Sequence, residues 1–286
     1  MALENAAPVI GMKDRSFEEE DRLIHYGIGE ALSSKLASLS LSTVMMSTPP
    51  ALHTPSPPAL TSDPLEQKTQ PGFRIEVMKV EDSERVLEFL MKNFFVDEPM
   101  NASLRLLEKP GDRCIPLEDF ALADIHQGLS VMAVDDDGKI MGVLLGAAVH
   151  RHESEQDNVD WGIGCDHVKF KKILHFLYQS EKKCDVFSWY PDLDSLFDLK
   201  ILSVDSSCRG KGVAGIMSKK AFEMAREANL GFLKIDCSSH FSSRIADKFG
   251  CKENYSIPYA EYKVDGEQVF NTTFPHIKFC IKSTRL

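Results

Sequence analysis

Residues 198–228, DLKILSVDSSCRGKGVAGIMSKKAFEMAREA, contain the pattern that decides the fold. The apolar run from Leu199 to Val204 predicts a buried strand. A short polar stretch leads to the loop 209–214, and apolar residues then recur at helical spacing from Val213 to Ala228. This order predicts a strand, a glycine-bearing loop and an amphipathic helix.

The loop between this strand and helix predicts a phosphate site. The first turn of a helix leaves backbone N–H groups unpaired and carries the positive end of the helix dipole, which suits an anion. Glycine at positions 210 and 212 lets a ligand approach the backbone, because no Cβ intervenes. The spacing fits neither the Walker loop nor the dinucleotide-binding fingerprint. An ordinary turn with two glycines is the alternative interpretation.

Composition limits the class of protein. The chain has 286 residues, 43% of them hydrophobic, which is enough for one large core or for a core and a tail. Its 33 basic and 43 acidic residues give a net charge of −10, which argues against nucleic acid and anionic membranes and mildly favours cationic ligands such as amines. The N-terminus has no secretory signal, and no apolar run reaches the roughly 18 residues of a membrane span. Seven cysteines without a Cys-x-x-Cys pair indicate reduced thiols, so we expect a cytoplasmic protein.

Residues 1–70 differ in composition from the rest of the chain. Residues 40–71 are rich in Ser, Thr and Pro, and we expect no packed structure there, whereas residues 16–39 could form a short helix. The sequence therefore predicts a largely disordered N-terminal tail over 1–70 and one folded domain over 71–286.

The folded domain alternates strands and helices. Strands are expected over 73–80, 130–134, 140–149, 199–204, 231–237, 255–263 and 274–282. Helices are expected over 86–94, 102–107, 117–126, 166–183 and 213–228, with a short one after 238 that Gly250 closes. Asp82 or Ser83 can cap the first helix and Pro99 halts it, while the turn at 135–138 predicts a hairpin. The order is typical of an α/β fold with a mixed central sheet of about seven strands and helices on both faces.

The segment 150–164 is polar and predicts a loop. His150 and His152, near Glu153, could bind a metal, but no third ligand follows at a matching spacing. We favour solvated loop residues and predict no metal site.

Three segments resemble a known family. Arg209-x-x-Gly212-x-Ala214, directly after a strand, resembles the pyrophosphate loop of the GCN5-related N-acetyltransferases (the GNAT fold), whose pattern is Gln/Arg-x-x-Gly-x-Gly/Ala. The segments 94–101, FFVDEPMN, and 237–242, CSSHFS, resemble those of the insect arylalkylamine (dopamine) N-acetyltransferases. The order of elements also matches this fold from 73 to 282.

The resemblance implies direct transfer of an acetyl group from acetyl-CoA to an arylalkylamine such as dopamine, tyramine, octopamine, serotonin or tryptamine. It implies a catalytic group formed by Glu98, Ser238 and Ser242. The residues expected to hold coenzyme A are Leu202, Ser203, Val204, Arg209, Gly210, Lys211, Gly212, Val213, Ala214 and Ser238. The residues expected to contact the amine are Phe94, Phe95, Asp97, Pro99 and Met100. A monomer that binds neither nucleic acid nor membrane is expected, with a role in amine inactivation and cuticle tanning.

The residues themselves support this chemistry. An alkylammonium with a pKa of about 10 must lose a proton before it is nucleophilic, and a carboxylate beside aromatic rings can accept that proton. Hydroxyls four residues apart at a helix start would lie on one face, about 5–6 Å apart, and could hold a water chain. Phe94 and Phe95 would offer apolar surface to an aromatic substrate.

Other interpretations stay open. Glu98 could be a solvated or helix-capping residue, Asp97 could be the base, and the two serines could be an N-cap and a surface hydroxyl. Cys237 beside His240 could form a nucleophilic pair, although Cys237 ends a predicted strand; the Gly-x-Ser-x-Gly elbow of serine hydrolases does not occur. The alternative functions are a GNAT acetyltransferase for polyamines or protein N-termini, and a non-catalytic acyl-CoA-binding protein.

Overall fold

The computed structural model describes residues 72–109, 111–156 and 159–286 of the chain. The predictions for the tail, including the candidate helix over 16–39, lie outside these residues. In the part that is described, no helix is long and apolar enough to cross a membrane.

A seven-stranded mixed sheet forms the centre of the fold. The strands of the chain are β1 (Phe73–Val77), β2 (Val131–Asp135), β3 (Ile140–His150), β4 (Ser195–Val204), β5 (Phe232–Cys237), β6 (Lys252–Pro258), β7 (Lys263–Val264), β8 (Glu267–Gln268) and β9 (Lys278–Arg285). The sheet has the order β1-β2-β3-β4-β5-β9-β6, and β7 and β8 form a separate hairpin. All neighbours in the sheet pair antiparallel except β4 and β5, which are parallel.

Helices cover both faces of this sheet. They are α1 (Ser83–Asn93), α2 (Pro99–Leu104), α3 (Ile115–Leu122), α4 (Arg151–Gln156), α5 (Val168–Lys183), α6 (Val186–Trp189), α7 (Val213–Glu227) and α8 (His240–Lys248). Successive strand residues point to opposite faces. Accordingly, Met132 and Val134 of β2 share a buried cluster with residues of α1, α3 and α5, whereas Val131 and Ala133 share one with residues of α7 and α8. The predicted mixed α/β sheet is confirmed.

The parallel pair β4–β5 is hydrogen-bonded over a short length. Its register covers Phe197–Leu199 against Leu233–Ile235 and stops there, so the ends of the two strands are not paired with each other. In β4 the register with β3 shifts at this level, where Lys200 forms a bulge. Its ammonium binds the Asp124 carboxylate at 2.6 Å and lies 4.6 Å from the centre of the Phe120 ring. The sheet is therefore open beyond Leu199, at the one place where its direction of pairing changes, which is where α/β sheets bind ligands.

The ends of α1 and α2 differ from the prediction at three residues. Asp82 stands at the N-cap of α1, but its carboxylate accepts the amide of Lys79, and the Ser83 hydroxyl donates to a carbonyl before the helix. Neither side chain caps α1. Pro99 does not halt α1, which ends at Asn93; it opens α2, where its missing N–H costs nothing.

The polar segment 150–164 contains a helix that was not predicted. Arg151 opens α4, and its guanidinium donates to the carbonyls of Phe187, Tyr190 and Leu193 at 2.6–3.1 Å. Arg151 thus satisfies backbone carbonyls of α6 and of the residues that follow it. Among the described residues, no group of three His, Cys, Asp or Glu side chains could hold a metal ion.

The C-terminal strands are displaced relative to the prediction. The strands expected over 255–263 and 274–282 occupy Lys252–Pro258 and Lys278–Arg285. The connection between them includes the β7–β8 hairpin, whose turn residues Asp265 and Gly266 have φ angles of 52° and 82°. The dipeptide Asp-Gly is the sequence signal for such a turn, and the prediction missed it.

Candidate active site

Glu98 lies in the connection between α1 and α2, where it occupies the N-cap of α2. Its Oε2 accepts the amide of Asn101 at 2.7 Å, as an N-cap carboxylate does. The Asn101 side-chain amide in turn donates to the carbonyl of Phe95 at 3.1 Å. Asn101 is buried, so its amide has no competing water and holds this connection in one shape.

The second carboxylate oxygen of Glu98 is left without a protein partner. The residue is 7% exposed, and within the described residues Oε1 makes no hydrogen bond. Burial raises the pKa of Glu98, because it disfavours the charged form; the amides of Asn101 and Met100 and the Ser238 hydroxyl oppose this rise. Ser238 lies near the carboxylate without making a hydrogen bond of standard geometry to it. The arrangement is a fixed carboxylate with one oxygen available to accept a proton.

Ser238 follows the last residue of β5 and precedes α8. Its carbonyl accepts the hydroxyl of Tyr259 at 2.7 Å. Burial, and then the nearby Glu98, raise the pKa of Tyr259. The end of β5 and the start of α2 thus bring two of the three predicted catalytic residues, Glu98 and Ser238, to one place.

The third predicted residue, Ser242, belongs to the cap of α8. The N-cap is Ser239, not Ser238: its hydroxyl accepts the amide of Ser242 at 3.0 Å, and the Ser242 hydroxyl accepts the amide of Ser239 at 3.2 Å. This is a capping box. Ser238 therefore precedes the helix, and the expectation that it and Ser242 lie on one helical face is wrong. A catalytic role for Ser242 stays a prediction.

The glycine loop has the geometry expected of an anion site. Gly210 and Gly212 both have φ of +79°, the left-handed region that favours glycine. The amides of Arg209 and Ile216 donate to the carbonyls of Ser206 and Gly212, whereas the amides between them donate to no described backbone carbonyl. A Cβ built at either glycine would meet nothing within 4 Å. The loop thus presents free amides to open space.

A short turn before the loop fixes its start. The carboxylate of Asp205 accepts the amide and the hydroxyl of Ser207 at 2.9 and 2.7 Å, and these bonds lower the pKa of Asp205. The next side chain, Cys208, is buried. Arg209 and Lys211 are exposed on the loop, where two cations add to the attraction for an anion.

The strand residues predicted to hold coenzyme A lie at the end of β4 that is paired with β3 but no longer with β5. Ser203 is buried and donates its hydroxyl to the carbonyl of Asn93 at 3.2 Å. Leu202 and Val204 are half-buried. Val213 is buried under the loop and Ala214 is half-buried. On the side of β5, the backbone of this part of β4 is free for a ligand, since the pairing has ended.

The residues predicted to contact the amine differ in their exposure. Phe95, Pro99 and Met100 are buried, with Phe95 and Met100 in the core under α1 and α2. Phe94 is half-buried and Asp97 is exposed. Of this set, Phe94 and Asp97 therefore keep surface that a substrate can touch.

An apolar rim, defined as Phe241, Phe274 and Ile277, was not predicted. These side chains are 58%, 87% and 61% exposed. The ring of Phe241 lies 5.4 Å from that of His276, and the amide of His240 donates to His276 Nδ1 at 3.3 Å. The rim thus adjoins the loop that carries Ser238. Exposed apolar residues gave no local pattern by which the sequence could reveal them.

The proposed cysteine nucleophile does not fit. Cys237 is fully buried at the end of β5, and contact with Cys280 and burial raise the pKa of its thiol. His240 is exposed in the first turn of α8, and its recorded contacts are with Phe241 and His276. A buried thiol with a raised pKa is a structural residue rather than a nucleophile.

Solved structures share this fold over three quarters of the chain. The crystal structure of arylalkylamine N-acetyltransferase 2 from Aedes aegypti aligns with 75% of this chain and 99% of its own, with a TM-score of 0.69 and 31% identity. A mosquito arylalkylamine N-acetyltransferase like 5b aligns with 75% and 100%, with a TM-score of 0.67 and 22% identity. The Drosophila melanogaster polyamine N-acetyltransferase, which forms N-acetylagmatine, aligns with 75% and 100%, with a TM-score of 0.67 and 21% identity. No protein-family model matches the chain.

Proposed function

We propose, from the premise that this chain belongs to the insect arylalkylamine N-acetyltransferase family of the GNAT fold, that it acetylates arylalkylamines with Glu98 as the general base. The observation that carries the proposal is the buried Glu98 carboxylate, which has one oxygen capping α2 and the other without a hydrogen-bond partner in the part of the chain that the structure describes. An N-acetyltransferase must take a proton from its amine, and a carboxylate oxygen without a hydrogen-bond partner among the described residues supports Glu98 in that role.

Acetyl-CoA fits the residues around the glycine loop. The free amides between Arg209 and Ile216, with φ of +79° at both glycines and no atom within 4 Å of either added Cβ, form a cradle for a diphosphate. Ser238 and the end of β4, on the side where its pairing with β5 has ended, would hold the rest of the molecule. When bound, acetyl-CoA supplies the acetyl group as a thioester.

Glu98 would accept the proton at Oε1. Because burial raises its pKa, the carboxylate is a stronger base than an exposed glutamate, and it is still available once the pH exceeds that raised pKa. The Ser238 hydroxyl beside it can hydrogen-bond the carboxylate or a bridging water. Ser242 stays within this proposal as a predicted member of the group, although the contacts recorded for its hydroxyl are those of the capping box.

An aromatic amine suits the surroundings. The net charge of −10 favours a cationic substrate, and Phe94 and the apolar rim offer surface for a ring. The preferred amines would be dopamine, tyramine, octopamine, serotonin or tryptamine, acetylated in the cytoplasm by a monomer that needs no metal.

Release of free thiol from acetyl-CoA tests this function. We expect rapid release with tryptamine, much slower release with agmatine or a peptide N-terminus, and none without an amine. Faster turnover of agmatine than of every arylalkylamine would favour the polyamine alternative. Binding of acetyl-CoA without thiol release from any amine would favour the non-catalytic alternative.

A further inference from the structure

Tyr259 joins the C-terminal part of the sheet to the residues around Glu98. It follows the edge strand β6, and its amide donates to the carbonyl of Ile277 at 3.1 Å. Its side chain is 1% exposed, and its hydroxyl donates to the carbonyl of Ser238 at 2.7 Å. Tyr259 therefore connects three places in the fold: the turn that follows β6, the residue that precedes β9 and the residue that follows β5.

Packing fixes the direction of this hydroxyl. The ring of Tyr259 lies 5.6 Å from that of Phe270 and 6.3 Å from that of Phe176, in a cluster that also contains Tyr262 and Phe279. A ring enclosed in this way cannot turn without displacing its neighbours. The bond to Ser238 is thus held by the core.

Ser238 has few other restraints. The ladder between β5 and β9 ends at Cys237, and α8 begins at His240 with Ser239 as its N-cap. The Ser238 carbonyl thus belongs to neither the sheet nor the helix. The Tyr259 hydroxyl supplies the hydrogen bond that regular structure supplies elsewhere.

We propose that Tyr259 is a positioning residue for acetyl transfer, which holds the Ser238 carbonyl and thereby places the Ser238 hydroxyl against the Glu98 carboxylate. This inference rests on the proposed function of Glu98 and Ser238. Tyr259 itself is no base or acid at neutral pH. Burial, and then the nearby Glu98, Cys280 and Cys237, raise its pKa well above the usual value, so the hydroxyl stays a donor.

The aromatic cluster provides a matched control. Tyr262 stacks on Phe270 with ring centres 5.8 Å apart, and its hydroxyl is buried but makes no hydrogen bond with a described residue. Tyr259→Phe and Tyr262→Phe therefore remove the same atom from the same cluster, and only the first leaves a carbonyl without its donor. Both keep the ring that fills the core, so both should fold.

The test compares the two variants with the wild-type chain. For Tyr259→Phe we expect kcat/KM for tryptamine to fall about tenfold, the factor that corresponds to about 1.4 kcal/mol in the barrier, with the KM for acetyl-CoA unchanged. Burial raises the pKa of Glu98, and the Ser238 hydroxyl opposes this rise. Displacement of the Ser238 hydroxyl should therefore move the acidic limb of the pH profile to higher pH. The deprotonation midpoint of the Glu98 carboxyl, followed by infrared difference spectra with Glu98→Gln as the blank, should move in the same direction. Tyr262→Phe should match the wild type in every measurement.

Two results would overturn the inference. One is a Tyr259→Phe variant with the wild-type kcat and the wild-type carboxyl midpoint. The other is a Tyr262→Phe variant that reproduces the losses of Tyr259→Phe, since that would trace them to the packing of the cluster. If the wild-type chain acetylates no amine at all, the proposed function fails, and the infrared midpoints still decide whether Tyr259 acts on Glu98.

Discussion

Replacing Glu98 by glutamine should separate its chemical role from its structural one. The two oxygens of the carboxylate differ: Oε2 caps α2 through the amide of Asn101, and Oε1 has no hydrogen-bond partner among residues 72–109, 111–156 and 159–286. Glutamine keeps an oxygen for the cap and removes the base. We expect Glu98→Gln to lower kcat/KM for the amine by roughly 10²–10⁴-fold, the usual contribution of a positioned base.

The stability of the two variants at this position should differ. Glu98→Ala loses the cap, which costs about 1 kcal/mol, or about 2–4 °C in Tm for a domain of 150–250 residues. Glu98→Gln retains the cap and removes a charge that burial disfavours, so its Tm should equal or exceed that of the wild type at neutral pH. Both variants should lose activity to the same extent. Thermal unfolding and thiol release on the same samples measure the two effects.

The pH dependence identifies the base. Because burial raises the pKa of Glu98 above 4.5, the wild-type kcat/KM should fall with decreasing pH at a midpoint above 4.5. The acidic limb should be absent in Glu98→Gln. The loss of kcat/KM in this variant relative to the wild type should shrink toward pH 10, because the free amine is then present in solution. Asp97→Asn is the control, because Asp97 is adjacent in sequence but exposed. A crippled Asp97→Asn beside a Glu98→Gln of normal activity at neutral pH would refute the reasoning.

The remaining predictions concern the glycine loop, a buried ion cluster and the tail. Gly212 and Gly250 have φ of +79° and +76°, so replacing either by alanine introduces a similar backbone strain of about 1–2 kcal/mol. Only Gly212→Ala should raise the KM for acetyl-CoA. Equal KM values for the two variants in a steady-state titration would contradict the assignment of the loop. The Lys234 ammonium lies 2.5–3.4 Å from three carboxylates, one of them that of Glu181. Because Lys234→Met leaves these carboxylates without their cation, it should lower the free energy of unfolding, measured with denaturant, by about 3 kcal/mol. Burial raises the pKa of Glu181, so this residue makes the folded protein lose stability as the pH rises from 4.5 toward the raised pKa. Buried Glu98 contributes to the same loss, so Glu181→Gln should reduce the loss, and a variant whose stability parallels that of the wild type across the pH range would argue against it. A chain that lacks residues 1–70 should retain kcat, since the sheet and both site segments lie beyond them; loss of activity in the same assay would disprove this.

The strands were predictable because their signals are local. Apolar runs mark the buried strands, and the turn at 135–138 ends with Gly138 at a φ of 82°, as the hairpin requires. The opening between β4 and β5 was not predictable in the same way. It lies beside a bulge at Lys200, whose ammonium pairs with the Asp124 carboxylate, 76 residues earlier in the chain. Local patterns carry no information about a contact of this range.

The prediction of helix boundaries was wrong where a residue type can serve in two ways. Proline both ends a helix and begins one, and at Pro99 the second use prevails because α1 has already ended at Asn93. Tyr259 shows the same difficulty at the site. Tyrosine is an ordinary strand residue, and the predicted strand over 255–263 gave it that use. Its bond to Ser238, 21 residues away, depends on how β6 and β5 flank β9.

Glu98 carries this ambiguity into the chemistry. From the sequence, a helix-capping residue and a general base were alternative interpretations of the same glutamate. The geometry makes the two roles compatible, because the cap immobilises one oxygen and so fixes where the other one lies. An N-cap is buried only if its helix start is buried, and α2 begins with three buried residues after Glu98: Pro99, Met100 and Asn101. Burial excludes water from the carboxylate and raises its pKa, whereas the amides of Asn101 and Met100 at the start of α2 lower it. The pKa of Glu98 is thus set by two opposing effects, the burial of the carboxylate and the helix amides that it caps.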